Sequence, residues 1–269
     1  VLILATAAAF FLPLLRRYRI VRAGQPEDRF RDLWKRFRHA FVKVLFQRCT
    51  LRHERVFTGL MHVFIFYSAL SFDTMTVNHT LEGFFSGFYL FGTTKFGLFF
   101  SLLIDVAAFA VMLGVLFLAT RRFIVRPKAY ETTRGDSALI YLFITVVTVT
   151  YVYFEGFAIA HHPETVRLSF LGSWLAGAIK GAGLSDGTIA AHFKISWWAH
   201  ILTVYAFIAY VPHSKYLHML AGPLNVFFRR DAASGELKPL DLEKSEVFGV
   251  EKLADFAWKD NLDAFACME

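Results

Sequence analysis

Residues 199–220 read AHILTVYAFIAYVPHSKYLHML, an apolar stretch long enough to enter a bilayer that nevertheless carries His200, His213 and His218. Imidazole gains nothing from hydrocarbon, and ionisable side chains at membrane depth face a site or a water-filled cavity. A neutral imidazole can ligate a metal or an iron porphyrin, and it can relay protons. Three acids, Asp73, Asp105 and Glu155, and one base, Lys95, stand in or beside other apolar stretches. Which of these groups act together depends on the elements that carry them.

Those elements are membrane helices. The chain is 56% hydrophobic, with 31 Phe among 269 residues, against about 45–50% in ordinary globular domains. The excess is gathered into long blocks at roughly 56–76, 96–119, 137–160 and 194–217, each long enough to span a bilayer. A fifth block, 1–14, covers only about 21 Å at 1.5 Å per residue. Without a charged leading region or a small-residue cleavage site it does not resemble a signal peptide, and it reads as the tail of a longer helix. The expected fold is an all-α integral membrane bundle of about five transmembrane helices.

Charge orients the bundle. Residues 15–55 hold thirteen Lys and Arg against four acids, and 121–136 hold five against two. The connections 77–95 and 161–193 hold one and two basic residues. Basic loops stay in the cytoplasm, so both basic segments and the C-terminus are expected inside. This asymmetry accounts for the net charge of +7, and nucleic-acid binding is not expected. Within the inner segment 29–48, Phe30, Leu33, Trp34, Phe37, Phe41, Val44 and Leu45 recur at helical spacing opposite Arg and Lys. That pattern suits a helix lying in the headgroup layer and equally a helix packed on another domain. Cys49 and Cys267 both fall inside, where thiols stay reduced, so no disulfide is expected.

The topology gives each histidine a depth. His62 falls in the inner third of its span, His200 near the outer side of the last one, and His218 at its inner end. His200 and His218 stand eighteen residues apart, about 27 Å on a continuous helix. His62 and His218 then share the inner level on two helices, as the axial ligands of a low-spin haem b do. Zinc would want more ligands, and neither helix offers Cys, Asp or Glu at that depth. A single membrane histidine is also often a plain hydrogen-bond partner between helices. His213, His39, His53, His161 and His162 fall in loops or boundary segments and read as solvated.

The stretch WWAHILTVYAFIAYVPHSKYLHML, with a proline six residues before His218, resembles the last helix of respiratory nitrate reductase gamma subunits. RVFTGLMHVFIFYSALSF resembles the earlier histidine-bearing helix of that family, and RRFIVRPKAYETTRGD its inner loop; the likeness covers roughly residues 55–228. The tail LADFAWKDNLDAFACME is similar to the segment leading into the ferredoxin-type cysteine motif of membrane iron–sulfur oxidoreductases related to heterodisulfide reductase. Some of these accept electrons from electron-transfer flavoprotein. The resemblance implies that Cys267 is the first ligand of a [4Fe-4S] cluster. It implies a membrane cytochrome b-like domain over 1–228, followed over 229–269 by a cytoplasmic linker leading into a truncated ferredoxin-like domain of a longer polypeptide.

The resemblance also implies that His62 and His218 hold an inner haem b and that His200 is one ligand of an outer one. The family's other outer ligand lies ten residues after the first histidine, where this chain has Phe72. That departure leaves the count at one haem or two. His79, seventeen residues beyond His62, is the substitute at matching depth, and His161 is another. In the family a quinone reacts near the outer haem beside a lysine, which implies Lys95, with Asp105 or Glu155, as its orienting and protonating groups. Snorkelling of Lys95 and structural pairing of the acids are the plainer readings.

The expected function is membrane electron transfer between a cytoplasmic iron–sulfur module and quinone, in the cytoplasmic (inner) membrane of a prokaryote. No nucleophile–base pair or phosphate loop suggests bond-making catalysis. The alternatives are a proton or ion translocator and a membrane anchor without cofactor.

Overall fold

The computed structural model describes residues 1–51, 53–85, 88–92, 94–127, 134–163, 168–230 and 250–266. In chain order the α-helices are α1 (Leu2–Arg22), α2 (Leu33–Leu45), α3 (Val56–Glu82), α4 (Lys95–Thr120), α5 (Arg134–His161), α6 (Phe170–Gly181), α7 (Asp186–Tyr210), α8 (His218–Phe227) and α9 (Trp258–Ala266). No β-strand occurs among the described residues. The chain divides into two compact units, Thr50–Ile208 and Val1–Cys49 with Ala209–Glu269.

Four segments are long and apolar enough to cross a membrane: Val56–Glu82, Lys95–Val125, Gly135–His161 and Asp186–His213, with mean hydropathy from 1.3 to 2.6. They correspond to the four long blocks of the sequence. The fifth block lies in α1, a helix of 21 residues whose last two turns turn basic with Arg16, Arg17, Arg19 and Arg22.

In the unit Thr50–Ile208, α3 and α4 pack together along their length. Gly114 permits their closest approach, because a Cβ there would stand 2.9 Å from the Met61 carbonyl oxygen. The buried Ser68 hydroxyl donates to the Ala107 carbonyl at 2.8 Å and fixes the same pair. Two features depart from the sequence reading. First, α3 runs on to Glu82, past the span read at 56–76, so His79 is helical. Asn78 holds this extension in place: its Oδ1 accepts from the Leu90 N–H at 2.6 Å. Second, the connection between α5 and α7 contains a helix, α6, whose N-terminus is capped by the Ser169 hydroxyl accepting from Gly172 N–H at 3.0 Å.

α7 stops at Tyr210, just before Pro212, and two short 3-10 turns, Val211–His213 and Lys215–Leu217, lead to α8 at His218. Proline has no N–H and clashes with the preceding turn. The single span read over 194–217 is therefore broken, and a continuous helix rise does not measure the separation of His200 from His218.

In the other unit, α2 packs on α8 in an inside-out manner. Its buried residues are Arg36 and Ala40. Arg36 donates from Nη1 to the Arg229 carbonyl at 2.7 Å and from Nε to the Arg31 carbonyl at 2.9 Å. Leu33, Trp34, Phe37 and Phe41 face outward. α9 is stitched to the end of α1 by Gln25, whose N–H donates to Phe256 O at 2.7 Å and whose carbonyl accepts from Trp258 N–H at 3.1 Å. Gly24 makes room for this, since a Cβ there would lie 2.7 Å from the Trp258 nitrogen.

Candidate functional site

α3 and α7 bring two imidazoles together near the far end of α3. His79 is 1% exposed and His200 4%. Their ring centroids lie 5.0 Å apart at an interplanar angle of 86°. The Thr80 and Tyr205 hydroxyls, 3.0 Å apart, join the same two helices one turn away. Phe154 of α5 closes one side, edge-on to His79 at 5.0 Å and parallel to His200 at 6.4 Å. Tyr151 closes the next, 6.4 Å from His79 and 6.3 Å from His200. Phe72, standing where the resemblance places a ligand, packs against Tyr151 at 5.8 Å.

The His200 ring has a defined hydrogen-bond partner. Its Nδ1 lies 3.1 Å from Thr150 Oγ1, and that hydroxyl donates its single proton to the Val146 carbonyl at 2.7 Å. With that proton on a carbonyl, Val146 O or Val147 O at 3.1 Å, Thr150 Oγ1 can accept from Nδ1, and this tautomer leaves the Nε2 lone pair for a metal. The same logic holds for His218 at the start of α8, whose Nδ1 donates to Lys215 O at 2.8 Å. Burial pushes the His218 imidazole below its ordinary range, against the upward pull of that hydrogen bond, and favours its neutral form.

Tyr151 links the histidine pair to Asp105. The Asp105 side chain is fully buried on α4 and accepts three hydrogen bonds: from the Tyr151 hydroxyl at 3.1 Å, the Ser169 hydroxyl at 2.9 Å and the Leu171 N–H at 2.7 Å. Two of these come from the first turn of α6, where a carboxylate meets the positive end of the helix dipole. Glu155, also buried, lies one turn beyond Tyr151 on α5 and packs against Gly172, where a Cβ would come within 2.6 Å of its Cγ.

The remaining sequence candidates are spread out. Lys95 is the exposed first residue of α4. Ten residues, about 15 Å of helix rise, separate it from Asp105. Asp73 is on an exposed side of α3. His161 ends α5 and packs with His162 and Phe193, at 4.4 and 5.3 Å. His62 is half-buried on α3 beside the Gly114 approach, and His213 is exposed. Cys267 lies outside the described residues. Sequence reasoning missed Thr150, Tyr151 and Phe154. Their signal was the run TVTYVYFEG, where polar and aromatic residues interrupt an apolar span. His192 was also missed; its Nδ1 meets the Tyr153 hydroxyl at 2.9 Å.

Fold and site define a helical membrane protein in which separate spans juxtapose buried imidazoles. Residues 90–233, more than half of the chain, match the family model of the nitrate reductase gamma subunit, and the chain belongs to that family. It is similar to a probable iron-sulfur-binding oxidoreductase FadF of Bacillus subtilis, 28% identical over 273 residues that cover 100% of this chain and 38% of that protein. It is also similar to an EtfAB:quinone oxidoreductase of Syntrophomonas wolfei, 29% identical over 219 residues covering 78% of this chain and 30% of that one. The chain spans less than half the length of either relative. No solved structure matches it.

Proposed function

We propose that this chain is the membrane electron-transfer part of a quinone-linked oxidoreductase, in which His79 and His200 would hold an outer haem b. The buried contact of these two imidazoles carries the reading. Among the described residues no group of three or more His, Cys, Asp or Glu could hold a metal ion. A porphyrin brings its own equatorial nitrogens and asks only for axial ligands, so two imidazoles suit haem and suit a bare ion poorly. Haem b supplies reversible one-electron chemistry when bound. Thr150 would hold the orientation of the His200 ring, and Phe154 and Tyr151 would keep the surroundings of the haem dry. The rings of His79 and His200 touch, so they must part to admit a flat macrocycle.

His62 and His218 are the proposed ligands of an inner haem b, on the strength of the family's motif; the Lys215 carbonyl orients the His218 ring for that role. Tyr151 and Asp105 form a hydroxyl–carboxylate pair beside the outer ligands that can hold a proton for quinone, with Glu155 as the next carrier. Lys95 is too far along α4 to share one carbonyl with Asp105 and is proposed to meet the quinone head at the membrane surface. The names of the two relatives support the other partners, an iron–sulfur module and an electron-transfer flavoprotein as its donor; Cys267 is proposed as a [4Fe-4S] ligand of that module on the resemblance of the tail alone. The outward aromatic face of α2 is proposed to lie in the headgroup layer, its Lys and Arg suited to anionic lipid.

A reduced-minus-oxidised visible spectrum of the purified protein tests the reading. Haem b bands that respond to a quinol are expected. Their absence from a folded protein would leave a translocator or a bare anchor.

A further inference from the structure

In the unit formed by Val1–Cys49 and Ala209–Glu269, three helices enclose a groove that their own side chains leave unfilled. α1 contributes Leu14, Arg17, Tyr18 and Val21, α8 contributes Leu220 and Leu224, with Leu217 just ahead of its first residue, and α9 contributes Trp258, Leu262 and Phe265. Each set repeats at helical spacing, so each helix turns one face to the cavity. Its volume is about 810 Å³, within the range of sites that enclose a lipid-sized or drug-sized molecule. The walls are almost wholly apolar. The cations among the lining residues are Arg17 and Arg22, one to two turns apart on the same wall. Arg17 rests over the Phe265 ring, 5.8 Å from its centroid.

The position of these arginines in α1 identifies the level of the groove. Residues 1–15 carry no charged side chain, and Arg16, Arg17, Arg19 and Arg22 follow at once. An apolar helix that turns basic in this way passes from hydrocarbon into the headgroup layer. α2, in the same unit, presents Trp34, Phe37 and Phe41 outward, as an interfacial helix does. An occupant must therefore have an apolar body for the leucine and aromatic walls and an anionic end for two guanidiniums. A neutral quinone meets the first demand and leaves the second unanswered. A phospholipid with an anionic headgroup meets both, since guanidinium can bind phosphate through two parallel hydrogen bonds.

We propose that the groove between α1, α8 and α9 is a binding site for an anionic phospholipid, with acyl chain against Leu220, Leu224 and Leu262 and phosphate on Arg17 and Arg22. Its occupancy does not depend on the haem ligands, none of which lines it.

Native mass spectrometry of the detergent-purified full chain, titrated separately with phosphatidylglycerol and phosphatidylcholine of matched acyl chains, tests the site. Phosphatidylglycerol is expected to bind at least about tenfold more tightly. Arg17→Gln with Arg22→Gln should reduce it to the phosphatidylcholine level, whereas Arg17→Lys with Arg22→Lys should retain most of the preference. Leu262→Trp, which fills the groove without touching the charges, should weaken both lipids. Thermal melts confirm that each variant is folded. Equal binding of the two lipids by wild type, a preference unchanged in the double Gln variant, or displacement of phosphatidylglycerol by a short-chain menaquinone would overturn the proposal.

Discussion

The Thr150 hydroxyl has one proton and three neighbours that could take it, the Val146 and Val147 carbonyls and His200 Nδ1. Giving the proton to a carbonyl sets the His200 tautomer with Nδ1 protonated, which is the form in which Nε2 could serve as the proposed ligand. Thr150→Val keeps the shape and removes the acceptor. Partners of ligating histidines are typically worth 10–100-fold in affinity, so haem retention at the outer site should fall by about tenfold in a dissociation assay with apomyoglobin as acceptor. Asp105 shows a different economy. The buried carboxylate accepts three hydrogen bonds, and it anchors the start of α6 as much as it could serve a proton path. Asp105→Asn offers an N–H₂ group where a donor already points, and should cost about 1–3 kcal/mol, seen as a lowered melting temperature. Little of this could be read from one sequence. His200, Asp105 and Glu155 stand out by being ionisable in apolar runs, but Thr150 and Tyr151 look like ordinary span residues until α5 meets α7 and α4.

At the scale of helices, the decisive element is the last turn and a half of α3. VNHT reads as a loop because Asn, Thr and Val are modest helix formers, yet a long-range bond from Leu90 to Asn78 holds the helix and buries His79. That tie is invisible to periodicity, which explains why the outer partner of His200 stayed open at the level of sequence. Asn78→Ala should loosen this turn, raising hydrogen exchange at residues 78–82 while leaving the middle of α3 protected. The Pro212 break was visible as a proline but was bridged by the apolar pattern on both sides. Near the other end of α3, the Gly114 contact predicts that Gly114→Leu forces α4 away from Met61 and lowers stability by about 1–3 kcal/mol, measured by thermal melt. α2 was legible in spacing alone; its orientation came from the Arg36 bonds that turn its guanidinium inward. Trp34 fluorescence in bilayers should be quenched more by lipids brominated close to the headgroup than by those brominated at the chain end.

For the whole molecule, four membrane-capable helices in a chain of the nitrate reductase gamma family frame a proposed route from an iron–sulfur donor to quinone. Composition made the membrane fold plain, because twenty-residue apolar blocks have few alternatives. The route depends on a fact that no composition carries, the meeting of His79 with His200. Haem per chain, measured by pyridine haemochrome on purified wild type and on folded His79→Ala, tests it most directly. The variant should hold one haem fewer per chain than the wild type. Equal haem in both, with an unchanged spectrum, would contradict the account.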